Sequence, residues 1–171
     1  MFGLFQSVRT KGSKAAIAAV QPLLGVLSTG PGIPPGMWDS PYVLGFVNQT
    51  VLFVAKLATD GQARGADLGG ILLDVYTAVT HQNGTSIMRT ATTFMTQQHP
   101  EFIRGVDDAM LIQFYGQGTL RDESSHPILV HAKAGAAQLN KANDKGTITG
   151  LMMMATWLDE VEKLADQNKR P

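Results

Sequence analysis

The chain has 171 residues; 44% are hydrophobic, 14 are Lys or Arg, 14 are Asp or Glu, and none is Cys. That length suits one domain, able to bury roughly 70% of the surface its unfolded chain exposes. Net zero charge removes the basic footprint of a nucleic-acid binder, and the absence of Cys removes disulfides, zinc-thiolate sites, iron–sulfur clusters and a Cys nucleophile.

Only 16% of the residues are charged, against about 25% in ordinary domains. A neutral, charge-poor surface repels its own copies weakly, which predicts a homo-oligomer or a protein partner covering an apolar helix face. Periodicity predicts helices almost throughout and no strand. The expected fold is all-α: a soluble single-domain bundle of six to seven helices around a central, largely apolar helix. Residues 1–36 read as an N-terminal arm with a Gly/Pro-rich loop, and residues 37–171 as the bundle.

Residues 1–38 hold Arg9, Lys11 and Lys14 and no acid. A basic start before the apolar run Ala15–Leu27 has the layout of an export or organellar segment. Gln21-Pro22 interrupts that run and Ser28-Thr29-Gly30 makes a poor cleavage site, so a cytoplasmic location is expected, with export or import as the alternative. Residues 1–5 are expected to dock on their own domain or on a dimer mate. A first helix spans Ser13–Gln21, broken or kinked at Pro22, with a short continuation to Ser28. Residues 30–36 hold three Gly and three Pro, and no regular element survives that composition.

Ser40-Pro41 is a helix-start signal, a capping residue followed by Pro at the first helical position. The helix it opens, Pro41–Asp60, is apolar on most sides and therefore central. Asn48, Gln49, Thr50 and Lys56 make it too polar for a lipid-facing span, so no integral membrane insertion is expected. Ala66–Gln82 follows, closed by Asn83-Gly84 in the manner of a C-cap. Thr85–Gln98 places Ile87, Ala91, Phe94 and Met95 on one face. Pro100–Tyr115 turns Ile103, Val106 and Met110 inward. Ser124 or Ser125 caps a helix reaching about Asn143, with Leu129, Ala132, Ala136 and Leu139 inward. Thr147 caps the last helix, which buries Ile148, Met152, Ala155, Leu158 and Val161. Of Met152-Met153-Met154, one is expected in the core and at least one near the surface.

Chemical signatures are sparse. No two histidines stand at i, i+4, and the Glu-x-x-His spacing of Glu123 and His126 occurs once where di-iron bundles need it twice; no metal and no cofactor are expected. His81 and His99 read as helix-end residues opposing a C-terminal dipole. There is no nucleophile elbow, Walker A loop or Ser-x-x-Lys, and of the adjacent Asp107 and Asp108 one is expected in solvent. The run His131-Ala-Lys133-Ala-Gly135-Ala-Ala137 resembles the motif of histidine phosphotransfer bundles, in which Gly four positions after a helical His leaves the imidazole open to a partner. The resemblance implies His131 as phosphoacceptor and Gly135 as its clearance. It departs at Ala134, where the family carries Lys; Lys133 points roughly 160° away from His131 on a helix. Arg89 and Arg104 are candidate ligand residues, placed on one rim if their helices form a hairpin about His99-Pro100.

The first functional reading is a self-associating, non-enzymatic interaction protein. The alternative is a binder of a small apolar or anionic ligand, with a pocket drawn from Phe46, Phe53, Met88, Phe94 and Met110 and Arg89 at the rim. A phosphotransfer module acting through His131 is the third.

Overall fold

A computed structural model describes residues 7–30, 32–120 and 126–167. These residues carry seven α-helices and one 3-10 turn, with no strand among them. The docking of residues 1–5 and the capping by Ser124 or Ser125 lie outside the described residues.

Helix α1 (Val8–Thr29) starts at Ser7, whose hydroxyl accepts from the Thr10 amide. Ala16, Val20, Leu23 and Leu27 recur along one side and are buried, so the stretch read as part of an arm packs into the common core against α2 (Pro41–Ala58) and α3 (Ala66–Thr80). The break expected at Pro22 is absent: α1 is one helix with Pro22 inside it. Pro22 faces solvent, and burial of Leu23, Leu24 and Leu27 beyond it outweighs the hydrogen bond it removes.

The Met37–Asp39 turn leads into α2, where Ser40 caps Val43 and Pro41 opens the helix. Helix α2 touches α1, α3, α4 (Gly84–Thr96) and α5 (Pro100–Gln117) and is the hub. Its length and mean hydropathy would allow it to cross a membrane, and half of that window is buried inside the bundle. That is the burial a central helix requires.

The densest contact is α2 on α5. A Cβ on Gly45 would collide with the Phe102 carbonyl oxygen, and one on Gly105 with the Tyr42 carbonyl oxygen. The helices therefore cross backbone to backbone. This crossing corrects the expected face of α5. Ile103 is exposed and Val106 and Met110 are half-buried, while Phe102, Gly105, Ala109 and Ile112 turn inward. The large apolar residues mark one stripe, but the small ones set the approach.

Other helix ends also shift. Asn83 does not close α3; it caps α4 by accepting from the Thr85 and Ser86 amides, and left-handed His81 ends α3. The Asn side chain reaches forward amides, which suits a start rather than a stop. Helix α6 is Pro127–Gln138, ended by Leu139 and a left-handed Asn140 rather than running to Asn143; Leu139 is exposed, not inward. Helix α7 is Lys145–Gln167, and Asp144, not Thr147, receives the Gly146 amide and the Thr147 hydroxyl. Helix α7 packs on α6 and α5. It buries Ile148, Met152, Trp157 and Val161, with Ala155 and Leu158 only partly covered. Met152 is core, and Met153 and Met154 pack on its edge.

Candidate functional site

The polar residues that the fold gathers come from four helices. Tyr42 of α2, Arg104 and Asp108 of α5, Ile128 and His131 of α6, and Thr156 and Asp159 of α7 line a cleft of about 380 Å³. Arg104 and Asp108 are four positions apart, which puts both on one side of α5, and the α2–α5 crossing brings Tyr42 over them.

Arg104 is fixed on three sides. Its guanidinium donates to Glu101 at 2.6 Å and to Glu160 at 2.9 Å, and its Cζ lies 4.0 Å from the Tyr42 ring centroid. Burial works against its charge, but the hydrogen bonds to Glu101 and Glu160 prevail and its pKa rises. The same contact holds the Glu101 carboxyl below its ordinary range. Lys163 donates to Asp159 at 2.6 Å and approaches Glu160 at 3.5 Å, so buried Glu160 lies between two cations.

Two groups in the cleft wall lack such compensation. Asp108 accepts the Tyr42 hydroxyl at 2.7 Å and has no cation partner among the described residues. Burial, and then this bond to a carboxylate, push the Tyr42 pKa up, so the phenol stays protonated and orients Asp108. Thr156 is 7% exposed, and its hydroxyl is buried with no partner. A buried polar atom left without a hydrogen bond costs about 1–3 kcal/mol.

A second cleft, of about 250 Å³, lies between the Thr50–Leu57 stretch of α2, the end of α5 and the first half of α7. A third depression of about 460 Å³ is shallow and lies along α4, lined by Met88, Arg89 and the threonines beside them.

Arg89 and Arg104 thus line separate depressions, and Arg104 is already held by carboxylates. His131 reaches the four-helix cleft as an exposed side chain with no partner among the described residues. Gly135 faces α7, where a Cβ would meet Leu151 at 3.5 Å, while Lys133 lies 5.9 Å from the Tyr115 ring centroid. The aromatic and Met pocket is not assembled: Phe46 is fully buried, Phe53 lines the second cleft, Met88 the third, and Phe94 meets the ring of His99. His99 stands just past the C-terminal end of α4, its amide donating to the Phe94 carbonyl, and its Nδ1 also accepts from the Glu101 amide at the start of α5. His81 likewise stands at a helix C-terminus. Asp107 is in solvent, unlike Asp108.

Tyr42, Asp108, Thr156 and Asp159 were not singled out from sequence. The signal that locates Tyr42 and Asp108 is the Gly45 and Gly105 pair, whose matching positions on α2 and α5 set the register that brings the two together. Among the described residues no group of three or more His, Asp or Glu is placed to hold a metal ion. Exposed large apolar side chains, from Val26 and Leu57 to Met95, Phe114 and Val130, are spread over α1, α2, α4, α5 and α6. No protein-family model, no curated protein and no solved structure matches this chain.

Proposed function

We propose that this protein is a small-molecule binder whose four-helix cleft takes a ligand carrying a protonated amine. The observation that carries this reading is Asp108, which lines the cleft without a cation partner among the described residues. Half-buried charge is stabilised by an opposite charge brought out of water with it. An ammonium group supplies that charge and donates to the Asp108 carboxylate. Tyr42 and Arg104 are occupied by partners in the protein and act as walls. The reading is one of binding: the Tyr42 phenol, held protonated, is a poor nucleophile, and His131 activates no hydroxyl among the described residues.

The test is a titration with n-butylamine, 1-butanol and butyrate, followed by the methyl resonances of Ile128 and Ala155, which line the cleft. Butylamine should bind, butanol weakly and butyrate not at all. Asp108→Asn keeps an acceptor for Tyr42 and should weaken butylamine at least about tenfold. Equal binding of all three compounds, or an unchanged affinity in the variant, overturns the reading.

A further inference from the structure

Asn83 is the only asparagine of this chain that precedes a glycine, and that pair carries a chemistry of its own. The backbone nitrogen of the second residue attacks the side-chain Cγ of the first, and a residue without Cβ leaves the approach open. A C–N bond forms, ammonia departs with the proton of that nitrogen, and a cyclic imide remains. Water then opens the ring. Opening at Cγ gives aspartate. Opening at the main-chain carbonyl gives isoaspartate, whose backbone runs through Cβ and is longer by one carbon. Water is the only co-reactant.

The fold requires both members of the pair. A Cβ on Gly84 would collide with the Thr77 hydroxyl and crowd the Leu73 carbonyl, so glycine is what lets α4 close on α3. Asn83 is exposed, and its side-chain oxygen accepts from the Thr85 amide at 3.0 Å and the Ser86 amide at 3.4 Å, which caps the first turn. The same cap withholds the reaction. Asn83 has a ψ of 99°, which turns the Gly84 nitrogen to the side of the Cα–C bond away from Cβ, whereas ring closure needs the two eclipsed. Reaching that conformation breaks both side-chain bonds and carries the Asn83 carbonyl away from the Ser86 and Ile87 amides that donate to it.

We infer that Asn83 is a deamidation site gated by the first turn of α4, reacting in the fraction of chains in which that turn is open. The two products diverge. Aspartate keeps an acceptor for the same amides and adds a negative charge at a helix N-terminus, where the dipole favours it. Isoaspartate lengthens the backbone at the cap and shifts Gly84 against Thr77, so the α3–α4 contact loosens.

The test follows residue 83 by peptide mass in mildly alkaline buffer, with the chain folded and in urea. Urea should raise the rate at least about tenfold. In the folded chain, hydrogen exchange at the Ser86 amide should be slowed by a similar factor, since one opening frees both groups. Ile87→Ala removes a buried side chain beneath the turn and should speed the reaction of the folded chain at least about threefold; the comparison with urea stands without this variant. Asn83→Asp reproduces one product and should keep or raise the thermal midpoint, whereas chains isolated with isoaspartate should melt lower. The inference is overturned if residue 83 gains no acid in urea, if the folded chain reacts as fast as the unfolded one, if a folded Ile87→Ala chain reacts no faster than the parent, or if the isoaspartyl chain melts with the parent. None of these outcomes bears on Asp108.

Discussion

The indole N–H of Trp157 donates to the main-chain carbonyl of Leu23 at 3.1 Å. This bond joins the last helix to the first across 134 positions of sequence. Trp157 is fully buried, with its ring centroid 6.0 Å from that of Phe46. Trp157→Phe deletes the donor and leaves a void beside Phe46. We expect a loss of about 2–3 kcal/mol, read from urea unfolding. A loss under about 0.5 kcal/mol, the scale of an ordinary surface change, would show that α7 is not anchored here.

Two glycines should respond to alanine with opposite signs. At Gly45 the new methyl would meet the Phe102 carbonyl, and the helices must separate at a cost of about 3 kcal/mol. Gly25 lies inside α1 with nothing within 4 Å of a built Cβ, so Gly25→Ala should add up to about 1 kcal/mol. Equilibrium unfolding of both variants gives the comparison. If both shift the same way, the close crossing of α2 on α5 is wrong.

Two buried tyrosines form a second contrast. The Tyr76 hydroxyl is buried without a partner, and burial raises its pKa. Tyr76→Phe removes an unsatisfied group and should be neutral or stabilising by about 1 kcal/mol. Tyr42→Phe deletes the donor to Asp108 and should cost about 1.5–3 kcal/mol, the range for hydrogen bonds to charged groups. Thermal midpoints of the two variants, measured at one pH, distinguish them.

Acid should loosen the α1–α3 contact. Asp74 accepts from the Arg9 guanidinium and from the Ser13 hydroxyl at 2.7 Å, and these bonds, that of Arg9 foremost, hold its pKa below the usual range. A folded pKa below the unfolded value means the stabilisation is complete above the unfolded value, about 3.9, and is lost as pH falls through the folded one. Asp74→Asn should therefore melt lower than the parent at pH 6, with the gap closing below about pH 4. Parallel melting curves from pH 6 to pH 2 would remove Asp74 from the acid response.

The all-α class and the α2 start were legible because Ser40-Pro41 and an apolar run act locally, where capping and periodicity apply. Continuity through Pro22 was not, because it depends on what Leu23, Leu24 and Leu27 bury against. The inward face of α5 was missed for a related reason. Periodicity counts large apolar side chains, whereas Gly105 and Ala109 let α2 approach. The cleft was harder still. Asp108 looks ordinary in sequence, and it becomes distinctive only when α2 brings the Tyr42 hydroxyl beside it. His131 was noticed through a motif, yet its place in the cleft comes from α6 lying on α7.

The backbone contact at Gly45 and Gly105 makes the two sides of the four-helix cleft mechanically unequal. Tyr42, Arg104 and Asp108 stand on a pair of helices that meet backbone to backbone. Ile128 and His131 stand on α6, which leans chiefly on α7. For any occupant, the grip in the bound state belongs to the stiff side.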